Sequence, residues 1–171
     1  ELSKLINERE LDIVFIQEPY FTNNYQMLHL PKKDVYYSDK YDEERERINQ
    51  WDVSKSAIYI SDQTPIRSEY LKDLSNEHIV CVKVITTRQT ILIASVYIPP
   101  KNSTDRPGNF FTKLFELVDE IIMTADQCNA QLIMAGDFNA RSARWHDKEE
   151  QGHYRDVQKL FNYNMDIKND D

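Results

Sequence analysis

Between residues 109 and 127, Phe111, Leu114, Phe115, Val118, Ile121, Ile122 and Ala125 recur at helical spacing. The spacing predicts a helix over Asn109 to Gln127 with one broad apolar face, and such a face must be buried against something. Its neighbours in the chain are strand-like. Thr90 to Ile98 precedes it, and Gln131 to Ala135, stopped by Gly136, follows it. Together with a hairpin upstream, this strand–helix–strand passage predicts a layered α/β architecture.

The remaining elements fit that frame. Glu1 to Glu10 reads as a helix with Leu2, Leu5 and Ile6 on one face, and the chain is expected to start inside or beside an element. Leu11 to Ile16 is a short β-branched run, consistent with a strand covered on both faces, and it stops at Gln17-Glu18-Pro19. Asp34 to Ser38 is a weaker strand, and Ser56 to Ser61 a stronger one. Ile79 to Thr86 and Thr90 to Ile98, separated by Thr87-Arg88-Gln89, predict a hairpin. The run Asp39 to Arg47 reads as a solvated charged face, and Val157 to Phe161 as part of a final helix. No repeat or linker interrupts the sequence, so residues 1–171 are expected to form a single domain.

Composition narrows the class further. With 40% hydrophobic residues and only 6 prolines in 171 residues, the chain is neither disordered nor collagen-like. A chain of this length buries roughly two-thirds of its unfolded surface, enough for one core. No apolar run approaches the roughly 18 residues of a membrane span, and the first residues lack the pattern of a secretory leader. Cys81 and Cys128 sit in apolar-patterned stretches without C-x-x-C spacing. They are expected to be buried free thiols of a reducing, intracellular compartment, nuclear or cytoplasmic. The 21 basic and 29 acidic residues leave a net charge of −8, which gives no footprint for charge-driven phosphate binding. A nucleic-acid role therefore needs a divalent metal or a local basic surface. The stretch Asp137 to Lys159, with five acids and five bases, is neutral and so permissive.

Three apolar strands end alike, on a polar or ionisable residue beside Pro or Gly: Ile16-Gln17-Glu18-Pro19, Val96-Tyr97-Ile98-Pro99-Pro100 and Ala135-Gly136-Asp137-Phe138-Asn139-Ala140. Taken one at a time, these are ordinary turn chemistry. Taken together, they supply complementary groups at positions fixed by a sheet. A lone carboxylate such as Glu18 suits Mg²⁺, which takes oxygen ligands and keeps several waters. Asp137 could orient or deprotonate a water, and Asn139 and Tyr97 could hold phosphate oxygens. An extended backbone at Asp137-Phe138-Asn139 is expected to put Asp137 and Asn139 on one side and the Phe138 ring in the core.

In this order and spacing, Ile-Gln-Glu-Pro, Ser-Val-Tyr-Ile-Pro-Pro and Met-Ala-Gly-Asp-Phe-Asn-Ala resemble the endonuclease/exonuclease/phosphatase superfamily. Within it, Gln17-Glu18-Pro19-Tyr20, Ala57-Ile58-Tyr59-Ile60 and Gly136-Asp137-Phe138-Asn139-Ala140 followed by Trp145 are closest to the apurinic-like endonuclease domain of non-LTR retrotransposons. The resemblance implies a four-layer α/β sandwich, two packed mixed β-sheets flanked by helices. It implies Mg²⁺ or Mn²⁺ and hydrolysis of a phosphodiester, here nicking of one strand of a DNA duplex. Position by position, Glu18 matches the metal-binding glutamate, and Tyr97 the tyrosine near the scissile phosphate. Asp137 matches the residue that orients or activates the attacking water, and Asn139 a phosphate-contacting partner. Arg141 and Arg144 could touch phosphates or solvate their loop. Trp145 could stack on a base or cover the core.

The superfamily pattern also includes an N-terminal strand with an asparagine and a C-terminal Ser-Asp-His, and this sequence contains neither. His29, His78, His146 and His153 stand in other contexts, and His146 reads as a surface residue. The chain is expected to be the central portion of the domain, incomplete at both ends or completed by flanking polypeptide such as a fused reverse transcriptase domain. Alone, it is expected to be nearly inactive. The competing reading is a catalytically inactive derivative that binds nucleic acid or protein. A phosphomonoesterase or lipid phosphatase would need substrate loops that the sequence does not display. Met123 and Met134 are expected in the core, and Trp51 either on DNA or over the core.

Overall fold

The computed structural model describes residues 2–21, 29–38, 54–100 and 108–139. Among them the first sheet contains β1 (Ile13–Gln17), β2 (Lys33–Tyr37) and β3 (Ser56–Ser61), with β3 central and both neighbours antiparallel to it. The second contains β4 (Arg67–Tyr70), β5 (Ile79–Ile85), β6 (Thr90–Tyr97) and β7 (Gln131–Asp137), hydrogen-bonded in that order. β4, β5 and β6 are antiparallel, whereas β6 and β7 run parallel. The crossover between those two is α2 (Phe110–Gln127), and α1 (Leu2–Glu8) precedes β1. The second sheet is thus mixed and the first antiparallel.

The two-residue period of the strands sorts the apolar residues into three layers. Ile58 and Ile60 of β3 meet Val80, Val82 and Val84 of β5 and Ile93 of β6 between the sheets, with Ile13 and Phe15 packed alongside. The alternate residues Cys81, Leu92, Ala94 and Val96 face Leu114, Val118, Ile121 and Ala125 of α2. On the far side, Ala57 and Tyr59 of β3 pack with Ile6 of α1 and Leu30. Helix, sheet, sheet and helix follow one another, giving the four layers. No described helix is long and apolar enough to cross a membrane.

Several expectations shift. β1 begins later than expected and takes in Gln17, and β7 runs through Gly136 to Asp137 instead of stopping at the glycine. The hairpin forms, closed by the Thr86 N–H donating to the Gln89 carbonyl at 3.0 Å. β4 has no apolar run to announce it; it is held by pairing with β5, by Tyr70 packing between the sheets, and by a 2.8 Å bond between the Tyr36 and Ser68 hydroxyls. Leu5 and Met123 are exposed, on the outer faces of their helices, while Met134 packs against the α2-side core as expected. Trp51, the charged run from Asp39 and the helix around Val157 lie outside the described residues.

The cysteines divide. Cys81 is buried and free, whereas Cys128 is free but exposed, because it sits at the C-terminal end of α2 beyond the helix's apolar face. Burial pushes the Cys81 thiol up to about 12, since a thiolate is poorly solvated inside the α2-side core. Near neutral pH, an Ellman titration should therefore label one thiol in the native chain and both after denaturation. The raised value also means that the unfolded chain loses its Cys81 proton first. Stability from this group is complete below the ordinary thiol value of 9.0 and declines as pH rises toward about 12.

Candidate active site

The C-terminal ends of β1, β6 and β7 lie at one end of the sandwich. In the parallel register of β6 and β7, Tyr97 stands opposite Asp137, and direct neighbours in a sheet project to the same face. That is the face Ile93 presents to the other sheet. From the opposite sheet, the Glu18 carboxylate reaches across, and the Tyr97 hydroxyl donates to Glu18 Oε1 at 2.8 Å. A hydrogen bond to an ionised acceptor is shorter and stronger than a neutral one. Glu18 is exposed, and Tyr97 is 8% exposed.

Asp137 and Asn139 form a second unit, joined to the first through β6. The Asn139 backbone N–H donates to Asp137 Oδ1 at 2.9 Å, and its Nδ2 donates to Asp137 Oδ2 at 3.3 Å and to the Ile98 carbonyl at 2.8 Å. The Ile98 N–H in turn donates to the Asp137 carbonyl at 2.8 Å. Both side chains do meet, but not by extended alternation. Asn139 has φ 43°, so the chain turns back in an Asx-type loop instead of continuing straight. Phe138 packs on the α2-side core as expected. Glu18 also adopts a left-handed backbone, φ 49°, and is held by its N–H donating to the Lys55 carbonyl at 2.8 Å. Non-glycine residues adopt this conformation only where surroundings compensate.

The groups beneath the site were not visible as such in the sequence. Ser95, with no exposed surface, lies on the inward phase of β6, accepts from Gln17 Nε2 at 3.1 Å and so ties the two sheets together beside Glu18. A polar residue on the inward phase of an apolar strand was the available signal. His78 lies parallel to the Tyr97 ring, 6.0 Å between centroids and 8° apart, and meets Phe110 edge-on at 4.9 Å. Its carbonyl accepts from the Tyr97 N–H and the Ser56 hydroxyl. Only the sheet register brings His78 there, so its sequence context gave no sign. Arg141, Arg144, Trp145 and His146 lie outside the described residues.

Two clefts elsewhere among the described residues carry none of these groups. One is lined by Ile6, Asp12, Lys33, Ser61 and Thr64, and another by Ile122, Ala125, Leu132 and Ile133. Both sit toward the opposite strand ends, because Ser61 bonds Asp12 at the start of β1 and Leu132 lies at the start of β7. Among the described residues, no three His, Cys, Asp or Glu side chains gather as a metal cluster. The donors at the end bearing Glu18 and Asp137 are instead two carboxylates with neutral oxygen donors. This suits Mg²⁺, which binds through one or two carboxylates together with water and substrate oxygens.

Comparison with known proteins agrees with this architecture. The endonuclease domain of TRAS1, a telomere-specific non-LTR retrotransposon, superposes with a TM-score of 0.70 at 22% identity, covering 95% of this chain and 64% of that one. An endonuclease/exonuclease/phosphatase family protein from Leptotrichia buccalis gives 0.53 at 14%, covering 93% and 64%. The chain has the endonuclease/exonuclease/phosphatase fold. The catalytic domain of human Nocturnin, solved with a sulfate anion, shares that fold at a TM-score of 0.52 and 15% identity, with coverages of 82% and 55%. Residues 91–169 match the family described as Endonuclease-reverse transcriptase. No curated protein matches. The chain spans less than two-thirds of each of these three structures.

Within this fold, Gly136 has a role fixed by space. Its φ is 153°, and a Cβ there would lie 1.8 Å from the Val96 carbonyl oxygen, on the strand that carries Tyr97. Gly136→Ala should separate β7 from β6 and cost about 2–3 kcal/mol in urea unfolding.

Proposed function

We propose that this chain is a divalent-metal-dependent DNA endonuclease that hydrolyses one phosphodiester bond and nicks a duplex strand. The observation that carries the reading is the convergence of Glu18, Tyr97, Asp137 and Asn139 at one end of a nuclease-like sandwich, through the Tyr97–Glu18 bond and the Tyr97–Asp137 register. The likeness to the TRAS1 endonuclease domain supports DNA as the substrate, and the match to Endonuclease-reverse transcriptase supports a polyprotein with a reverse transcriptase. Residues 1–171 act as one domain in this account.

Glu18 is the residue proposed to hold the cation, Mg²⁺ or Mn²⁺, with its geometry set by the Tyr97 hydroxyl. When bound, the cation supplies Lewis-acid stabilisation of charge on the phosphate and the leaving oxygen. Asp137 takes a proton from, or orients, the water that attacks phosphorus in line with the departing oxygen. Asn139 keeps the Asp137 carboxylate in one orientation through its backbone N–H, and contacts a phosphate oxygen when the Nδ2 hydrogen on Asp137 Oδ2 turns to the substrate. Tyr97, once its phenol is shared between Glu18 and the substrate, steadies the phosphate beside the cation. Arg141 and Arg144 contribute phosphate contacts, and Trp145 stacks on the DNA. Each preorganised donor at such a site is typically worth about 10²–10³ in rate.

Supercoiled plasmid incubated at length with the 171-residue chain should relax slowly in Mg²⁺ and not in EDTA. Asp137→Ala should remove the activity by at least about 10²-fold, with circular dichroism and melting temperature retained because the side chain is exposed. Relaxation that persists in both EDTA and Asp137→Ala would overturn the reading. So would DNA binding without any Mg²⁺-dependent nicking, which would favour a binding module of the same fold.

A further inference from the structure

Tyr20 is 76% exposed, two residues beyond Glu18. Single exposed apolar residues are ordinary, and Leu5, Met123 and Ile133 are further examples here. Those three lie on α1, on α2 and within β7, away from the ends where Glu18 and Asp137 sit. The Tyr20 Cα lies within about 7 Å of the Glu18 Cα by chain geometry alone.

The backbone on both sides holds the ring outward. Before it, Glu18 is pinned by the Lys55 carbonyl and by Tyr97, and Pro19 fixes its own φ. After it, Phe21 packs on the outer core of the first sheet and meets Tyr37 edge-on, with centroids 5.8 Å apart at 71°. With Phe21 anchored on that core, the adjacent Tyr20 ring is left outside it. The result is a projecting aromatic ring beside the cation-holding carboxylate.

The charge of the site gives that ring a purpose. Glu18 and Asp137 bring two negative charges, Tyr97 and Asn139 bring no positive ones, and the whole chain carries −8. Uncharged contacts can then add to the affinity for DNA that the cation and the arginines proposed above give. An aromatic face stacks on any nucleobase without depending on charge.

We propose that Tyr20 is a stacking platform for a nucleobase flanking the phosphodiester held at Glu18 and Asp137, an inference that rests on the nuclease reading above. A base inside a paired stack has no free face, so the platform favours DNA with an unpaired or easily unstacked base beside the scissile bond. Tyr20 thereby adds a structural preference to the phosphate contacts made at Glu18 and Asp137.

Fluorescence anisotropy on labelled duplexes, one fully paired and one with a single-nucleotide bulge, tests this with the 171-residue chain at fixed salt in Mg²⁺. Tyr20→Ala and Tyr20→Leu should each weaken binding to the bulged duplex about tenfold or more, and abolish the preference for it over the paired one. Tyr20→Phe should stay within about threefold of the unmodified chain, and melting temperatures should not move. Equal binding by Tyr20→Ala, or equal binding by the Leu and Phe variants, would overturn the platform. If the unmodified chain still nicks plasmid in that case, the nuclease reading stands. A lost preference in Tyr20→Ala beside an absence of nicking would keep the platform and remove the catalytic reading. Failure of the unmodified chain both to bind the bulged duplex and to nick would overturn both.

Discussion

The parallel pairing of β6 with β7 is the constraint on which the rest of the molecule depends. β6 is buried on both faces, with Leu92, Ala94 and Val96 turned toward α2 and Ile93 and Ser95 toward the first sheet. Because a strand alternates without slipping, the residue that follows Ser95 on the inward phase must be Tyr97. The register then fixes Asp137 as its neighbour on the same face. A shift of one residue would send Asp137 toward α2 and pull the site apart. Gly136 guards that register, since only a residue without a side chain lets β7 approach the Val96 carbonyl.

Two left-handed residues complete the arrangement, one at the end of each sheet. Glu18 and Asn139 both leave the strand direction within two residues of the last paired position. Asparagine accepts this conformation readily because its amide bonds the local backbone. Glutamate does so at a cost of about 1–2 kcal/mol, offset here by the Lys55 carbonyl and the Tyr97 hydroxyl. The partly buried Ser95–Gln17 bond joins the two sheets beside Glu18 and opposes their sliding. Rigid strands and compensated turns together hold the polar groups where flexible loops would scatter them.

Much of this was legible in the sequence, for identifiable reasons. α2 and β3, β5 and β6 announce themselves because their apolar residues follow a clean period of 3.6 or run continuously through a buried strand. β4 was invisible: Arg67-Ser68-Glu69-Tyr70 has the two-residue period of a strand, but in polar side chains that hydropathy does not register. The strand-end motifs named Glu18, Tyr97, Asp137 and Asn139 as candidates, while the contacts linking them required the register of two sheets far apart in sequence. His78 illustrates the limit, since nothing in Asn76-Glu77-His78 foretells a ring lying against Tyr97. The exposed Cys128 and Met123 show the converse, where apolar type was taken for burial on a helix whose buried face lies elsewhere.

The central claim is that the end of the sandwich bearing Glu18 and Asp137 holds a divalent cation. Titration with Mn²⁺, followed by electron paramagnetic resonance of the free ion, measures this without substrate or turnover. The account predicts a saturable site, competed by Mg²⁺ and weakened about tenfold or more in Glu18→Gln, which preserves size while removing the charge. Mn²⁺ binding of the same affinity in Glu18→Gln, or none in the unmodified chain, would contradict it.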